Sequence, residues 1–320
     1  MRALKLQNTD GLDALSVEDV PRPEPGSEEL LVGVDAAEVT ALDWPVCHDV
    51  LPHLLDESLP WIPGWDLSGI VESTGAAVTD FEQGDAVYGM VRLPGAGGAF
   101  AEYATVSTEE VAPKPADLSH VEAAGVPMVG QTAYHALFEV ADIEADDRVL
   151  VHAAAGGVGH MAVQLAADMG AHVIGTASSH NGTFLRDLGV DEFVNYREER
   201  VEDVLDPVDV VLDTIGGEGL ERSADVVRPG SVVVTLPEPP ADELAAEFAR
   251  EHDVDVRFFS VTDDAAPVTL RRVSDRIDAG AVEPTVSDTY PLTEARAALE
   301  ESADGHVRGK LVLNIAGGVA

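Results

Sequence analysis

The sequence predicts an α/β protein built from two parts, a doubly wound parallel sheet and a smaller antiparallel, barrel-like unit. Three observations carry this. They are a strand, glycine turn and helix at Arg148 to Gly170, six strand–helix alternations around that turn, and a change of period near His120. In RVLVHAAAGGVGHMAVQLAADMG, Val149, Leu150 and Val151 form a β-rich run, whereas Val158, Met161, Ala162, Leu165 and Ala166 recur at helical spacing. Between them stand Gly156, Gly157 and Gly159. Gly156 lets a pyrophosphate approach the backbone, Gly159 lets helix and strand pack closely, and the N–H groups opening the helix near Gly157 point at the anion. The complete G-x-G-x-x-G would need glycine at Ala154, so the flanking strand and helix carry the assignment. Ala155, Gly156, Gly157 and Val158 are the expected contacts with a dinucleotide. The alternative is a glycine-rich turn that only packs a helix against a sheet.

Around this cradle the expected strands are Arg148 to His152, His172 to Ala177, Phe193 to Tyr196, Val208 to Ile215, Ser231 to Leu236 and Val254 to Val261. Helical patterns fill the gaps at Ala123 to Ala141, Asn181 to Leu188, Leu220 to Val227, Ala241 to His252 and Val268 to Ala279. Such alternation specifies a parallel sheet whose ligand lies at the carboxyl ends of the strands.

From Met1 to about Pro115 the pattern is instead short β-rich runs, Leu30 to Val34, Leu67 to Glu72, Ala86 to Tyr88 and Phe100 to Val106, punctuated by Gly and Pro. Pro21, Pro23 and Pro25 make a stiff connector, and Gly75 and Gly84 suit turns. Past Val282 the isolated strand GKLVLNI, Gly309 to Ile315, returns to the first part. The expected domains are 1–119, completed by 283–320, and 120–282.

Asp and Glu number 59 against 19 Lys and Arg, for a net charge of −40, and Lys5, Lys114 and Lys310 are all the lysines. Such a surface disfavours nucleic acid and repels itself unless salt screens it, so a halophile's surface is expected. The 45% hydrophobic content argues against disorder. Cys47 is the single cysteine, which excludes an intrachain disulfide and a cysteine zinc cluster. No apolar run reaches membrane-spanning length, and a soluble, cytoplasmic protein is expected.

The motifs in order resemble the medium-chain dehydrogenase/reductase superfamily, and within it the zinc-independent NADPH:quinone oxidoreductases related to zeta-crystallin. The matching stretches are Pro63-Gly64-Trp65-Asp66 with Ser68 and Gly69, GDAVYG at Gly84 to Gly89, GAFAEY at Gly98 to Tyr103, GQTAYHAL at Gly130 to Leu137, AAAGGVG at Ala153 to Gly159, VLDTIGG at Val211 to Gly217 and GKLVL at Gly309 to Leu313. The resemblance implies a GroES-like β-barrel catalytic domain beside a Rossmann six-stranded sheet. Where the zinc branch carries its first catalytic Cys this sequence has Thr40, and where it carries Gly-His-Glu this one has Gly64, Trp65 and Asp66. No metal site is therefore expected, and His48 and His53 read as polar loop surface. Hydride transfer without a Lewis acid suits conjugated acceptors, which spread the incoming charge over an enolate or hydroquinone. A quinone or an α,β-unsaturated carbonyl is the expected substrate, protonated by solvent or a nearby hydroxyl.

No carboxylate stands at the end of the second Rossmann strand, where NAD-specific folds place one. Ser178, Ser179 and His180 stand there instead and favour NADPH, although Ser179 also fits a helix N-cap. The resemblance implies Tyr196 beside the adenosine, Thr132 and Leu236 near the nicotinamide half, and Lys310 reaching the cofactor from the returning segment. On the substrate side the expected residues are Thr40, Asp43, Trp44 and Trp65. Asp43 either orients a water or ribose hydroxyl or caps the following helix. The tryptophans suit a planar quinone and a buried core equally. A homodimer is expected through the strand Val254 to Val261, the edge used by relatives. The alternatives are an acyl-CoA or alkenal reductase on the same scaffold and a non-catalytic NADPH-binding protein.

Overall fold

The computed structural model describes residues 1–50, 59–95, 97–262 and 267–316. The chain divides into two compact units, Met1–Met128 with Ala265–Asp278 and Pro284–Ala320, and Val129–Asp264 with Ala279–Glu283.

In the first unit the strands are β1 (Arg2–Leu6), β2 (Leu15–Asp19), β3 (Glu29–Val39), β4 (Asp66–Thr74), β5 (Ala86–Met90), β6 (Tyr103–Ser107) and β7 (Val111–Pro113). The second unit carries β8 (Arg148–Val151), β9 (His172–Ala177), β10 (Glu192–Asn195), β11 (Val208–Asp213), β12 (Val227–Thr235) and β13 (Asp255–Phe258). The chain then returns to the first unit as β14 (Val286–Pro291) and β15 (Lys310–Asn314).

The barrel-like sheet runs β14-β15-β3-β4-β5-β7, with β6 on β3 and the hairpin β1-β2 beside it. Every pairing around β3, β4 and β5 is antiparallel. Alternation puts Leu30, Val32, Leu67, Val71, Val87 and Leu313 into one apolar cluster. Fully burying side chains of this kind stabilises by about 1.5–3 kcal/mol each. The helix Pro267–Asp278 belongs to this unit, where Ser274 Oγ lies 2.6 Å from the Tyr88 hydroxyl.

The second unit is an all-parallel sheet in the order β10-β9-β8-β11-β12-β13, the doubly wound arrangement expected. Its core joins Leu150, Ile174, Val194, Val211, Val233 and Phe248. The helix expected over Ala123 to Ala141 is broken into three pieces. His120–Ala124, opened by a Ser119/Glu122 capping box, stops at Gly125; Pro127–Tyr134 restarts, with Pro where a missing N–H costs nothing; and a π-helical turn follows at His135–Val140. The last strand is shorter and more polar than the expected Val254 to Val261. β13 is DVRF, with Asp255, Arg257 and Phe258 exposed on the sheet's free edge. No described helix is long and apolar enough to cross a membrane.

Candidate functional site: an acid-lined loop and a dinucleotide cradle

In the second unit the chain leaves β8 through His152 and Ala153 and enters the helix Gly157–Met169. Gly156 occupies the N-cap position with no side-chain cap hydrogen bond, so the first-turn N–H groups keep room for anionic oxygens. A Cβ on Gly159 would stand 2.4 Å from the Ala153 carbonyl oxygen, whereas one on Gly156 would meet only that oxygen, at 3.2 Å. The first glycine is demanded by packing and the second leaves open approach to the backbone, which fits a bound pyrophosphate.

His152, which sequence reasoning passed over, ties the strand ends together. Its Nδ1 lies 3.2 Å from Thr176 Oγ1, and its carbonyl accepts from Thr214 Oγ1 at 2.8 Å. Burial holds its pKa below the ordinary histidine value, which favours a neutral ring beneath the cradle. Asp213 is buried at the end of β11 and accepts from the backbone N–H groups of Ile215 and Gly216, fixing the turn that follows.

At the end of β9, Ser178 is the N-cap of a short turn without a side-chain cap bond, and its Oγ lies 3.2 Å from His180 Nδ1. Ser179 and His180 are exposed, so the cap position falls one residue before Ser179. β10 runs beside β9 with Asn195 opposite Ala177 as the last pair, so Tyr196 and Arg197 leave the sheet at the same end as Ser178 and Ser179. Tyr196 is 54% exposed. The Arg197 guanidinium lies 5.7 Å from the Tyr196 ring centroid and its Nε donates to the Tyr196 hydroxyl at 3.3 Å. Arg197 was missed because it follows the third strand, not the second; its place next to Tyr196 was the available signal. Thr132 is buried in the helix Pro127–Tyr134, and Leu236, half-buried just past β12, donates its N–H to the Asp213 carbonyl at 3.0 Å.

In the first unit, Thr40 directly follows β3 and Asp43 opens the short helix Asp43–Val46. The carboxylate does not cap that helix. Asp43 Oδ2 accepts from the Thr40 backbone N–H at 2.6 Å and from the Thr40 hydroxyl at 2.8 Å. Both residues are buried, and burial pushes the Asp43 carboxyl up to about 7, against the lowering effect of those two hydrogen bonds. The neighbouring Cys47 thiol is pushed up to about 12 by burial, with the Asp43 charge adding to it.

Trp65 has no exposed surface and its indole N–H donates to the Gly95 carbonyl at 3.0 Å, so its ring lies in the interior of the unit. Trp44 is half-buried against the apolar cluster, with its ring 6.2 Å from His48. His53 lies outside the described residues. Lys310, at the start of β15, is buried and paired with Glu38 of β3. Its ammonium group is therefore engaged within its own unit.

The sequence pattern of the alcohol dehydrogenase GroES-like domain matches residues 26–116, and that of the zinc-binding dehydrogenase family matches residues 188–313. The second description implies zinc. Thr40 is bonded to Asp43, Trp65 is indole, and Asp66 is engaged with Glu38 and the Met128 N–H. Among the described residues no three His, Cys, Asp or Glu side chains are grouped to hold a metal ion. These side chains do not fit zinc, and no step below runs through one.

A chloroplastic quinone-oxidoreductase homolog of Spinacia oleracea is 30% identical over 317 residues, covering 95% of this chain and 94% of that protein. A chloroplastic NADPH-dependent alkenal/one oxidoreductase of Arabidopsis thaliana is 30% identical over 98% of this chain and 79% of its own length. Among solved structures, the quinone oxidoreductase from Coxiella burnetii superposes with a TM-score of 0.91 at 32% identity, covering 98% of this chain and 99% of that one. With both domain patterns in order and likeness along nearly the full length, the chain belongs to the medium-chain dehydrogenase/reductase superfamily, in its zinc-independent quinone oxidoreductase branch.

Proposed function

We infer that the chain is an NADPH-dependent reductase of quinones or α,β-unsaturated carbonyls. The observation that carries this reading is the cradle at Gly156 and Gly157, at the end of β8, with Ser178 and Ser179 following the neighbouring β9 and Tyr196 and Arg197 following β10 at the same end of the parallel sheet. The names of the Spinacia and Arabidopsis relatives support the two acceptor classes.

In this reading the first-turn N–H groups and Ala155, Gly156, Gly157 and Val158 hold the pyrophosphate. Tyr196 covers the adenine, and Ser178, Ser179 and His180 meet the 2′-phosphate, with Arg197 as the cation that the second strand end lacks. Thr132 and Leu236 border the nicotinamide half. NADPH, when bound, supplies a hydride with its electron pair. Thr40 presents a hydroxyl to the acceptor oxygen and Asp43 fixes that hydroxyl's orientation. Trp44 lines the acceptor's side, while Trp65 acts from beneath by holding the turn at Gly95. Lys310 acts as counter-charge inside the barrel unit.

The substrate unit is assigned to 1–119 with 283–320 and the cofactor unit to 120–282. A homodimer through the free edge of β13 and a salt-tolerant, cytoplasmic setting complete the reading; the single buried Cys47 supports a reducing compartment. The test is NADPH oxidation with a panel of quinones and enones, repeated with NADH. Turnover of at least one class, faster with NADPH, is expected. Tight NADPH binding with no acceptor reduced would instead identify a binding protein.

A further inference from the structure

Three carboxyls and one ammonium group are buried together in the barrel unit, and the register explains why. β3 pairs with β4 so that Ala37 faces Leu67, and with β15 so that Glu38 faces Val312. Facing residues share a side of the sheet, and so do residues two apart. Glu38, Thr40, Asp66 and Lys310 are thereby brought to one face. Asp66 comes within hydrogen-bonding reach of Glu38, and Lys310 pairs with Glu38. Asp43 joins them through Thr40.

Glu38, Asp43 and Asp66 have no exposed surface, and Lys310 is 7% exposed. One oxygen of Asp43 and one of Asp66 have no hydrogen-bond partner, and Glu38 meets the Lys310 ammonium group on one side and the Asp66 carboxyl on the other. Two buried carboxylate oxygens in contact with no donor between them repel. Like charges held in contact inside a low-dielectric interior strongly disfavour ionising together. One lysine cannot neutralise three acids, so a proton must be retained among them.

Resting on the reductase reading above, we propose that this cluster is the proton reservoir of the reaction. Asp43 holds a proton at neutral pH and passes it through the Thr40 hydroxyl to the reduced acceptor, while Glu38, Asp66 and Lys310 set Asp43's charge. In balance, the acceptor gains a C–H bond and an electron pair from the reduced nicotinamide, leaving negative charge on its oxygen. The Thr40 hydroxyl, which at rest donates to Asp43 Oδ2, turns to the acceptor; its O–H breaks as the acceptor's O–H forms, a proton held on Asp43 moves to Thr40 Oγ1 across the same 2.8 Å contact with the direction of donation reversed, and solvent restores the proton to Asp43. An enol so formed relaxes to the ketone in water; a quinone, having taken the hydride with its electron pair, needs the same single proton to become the hydroquinone. Glu38, Asp66 and Lys310 touch no substrate and are positioning residues.

The charged groups facing Asp43 are Glu38 on β3 and Lys310 on β15, and the neutral Cys47 thiol lies just past its own helix. Those facing Asp66 are Glu38 and Lys310, with the Met128 N–H donating to it at 2.6 Å. The helix His120–Ala124 brings His120, which is engaged with Ser68 and Asp35. Glu38 raises the Asp43 pKa and Lys310 lowers it, which gives a signature that a purely structural role lacks.

The test pairs infrared titration of the carboxyl C=O band in the protein without cofactor with the pH profile of kcat in the NADPH-loaded enzyme. Wild type should show a protonated carboxyl band near neutral pH, lost in Asp43→Asn, and kcat should fall above the same midpoint while KM stays unchanged. Glu38→Gln should move the midpoint of both curves down and Lys310→Met should move it up, by roughly one pH unit each. Either variant suffices if the other does not fold. No protonated band in wild type, or coincident midpoints in all foldable variants, overturns the proposal. If no acceptor is reduced, the reductase reading and the delivery step fall together, and the infrared arm separately decides whether these acids hold the proton.

Discussion

The Gly159 backbone passes so close to Ala153 that a Cβ there would lie 2.4 Å from the Ala153 carbonyl oxygen and 2.7 Å from the Ala154 Cα. Both obstacles are backbone, so neither can swing aside. Gly159→Ala must push the helix Gly157–Met169 away from the loop, an overpacking error costing roughly 1–3 kcal/mol. Gly156→Ala is different, because its φ of −80° suits any residue and its Cβ would meet one oxygen at 3.2 Å. Denaturant unfolding should show Gly159→Ala destabilised and Gly156→Ala near wild type. NADPH fluorescence titration should show Gly156→Ala binding about tenfold more weakly, a loss of about 1.4 kcal/mol, because the added methyl occupies the pyrophosphate's approach. Equal destabilisation of both variants would refute the division of roles.

That division was legible in the sequence because strand, turn and helix are contiguous, so spacing alone fixes their relation. The parallel, doubly wound character of the second sheet follows from the same kind of local alternation. The grouping of Glu38, Asp66 and Lys310 was not legible. These residues lie on three strands, and their common face depends on the parity of two registers, which a one-residue slip would reverse. Lys310 stood out as one of three lysines and was expected at the cofactor, yet nothing local pointed to Glu38. Trp65 illustrates another limit, since an aromatic ring reads the same whether it walls a site or fills a core. β2 and β14 escaped notice because neither buries a clear alternating face.

Stability should fall as pH rises through the range where Asp43 charges. Its carboxyl titrates near 7 in the folded chain against 3.8 when exposed, so the folded state binds this proton more tightly. Stability is then greatest below about pH 4 for this group, declines to about pH 7 and levels off above it. At about 1.36 kcal/mol per pKa unit the full effect is on the order of 4 kcal/mol. Glu102 and Glu192, whose pKa values are lowered by Arg2 and by His172 with Arg148 respectively, work in the opposite sense, and their contribution is lost on further acidification. Melting temperatures across about pH 5 to 8 at fixed high salt should decline for wild type. Asp43→Asn, which keeps an acceptor for Thr40, should decline less. Parallel curves would show that Asp43 is not the group concerned.

Recognition of the 2′-phosphate should depend on Arg197. The residue follows Tyr196 just past β10, and Ser178 and Ser179 follow β9, the neighbouring parallel strand, at the same end of the sheet. Arg197→Glu replaces a charge-assisted contact with repulsion, and hydrogen bonds to charged groups contribute roughly 1.5–3 kcal/mol. NADPH affinity should therefore drop at least about tenfold while NADH affinity stays within about twofold. An equal loss for both cofactors would place Arg197 at the adenosine generally, and no loss for either would remove it from the site.

Salt should stabilise this chain well into the molar range. With a net charge of −40 on 320 residues, the folded surface concentrates like charge that an expanded chain would spread out. The exposed ion pairs, such as Arg22 with Glu72 and Arg222 with Glu218, are few against that excess and individually contribute little. Raising salt from about 0.1 to 1 M shortens the Debye length from about 10 to 3 Å, which removes repulsion between neighbouring surface acids. The buried Lys310–Glu38 pair is shielded from solvent ions and should respond far less. The melting temperature should thus climb steadily with KCl, and the increment should shrink in variants that replace surface Glu with Gln. A melting temperature indifferent to KCl would mean that the acidic surface carries no net electrostatic cost for folding.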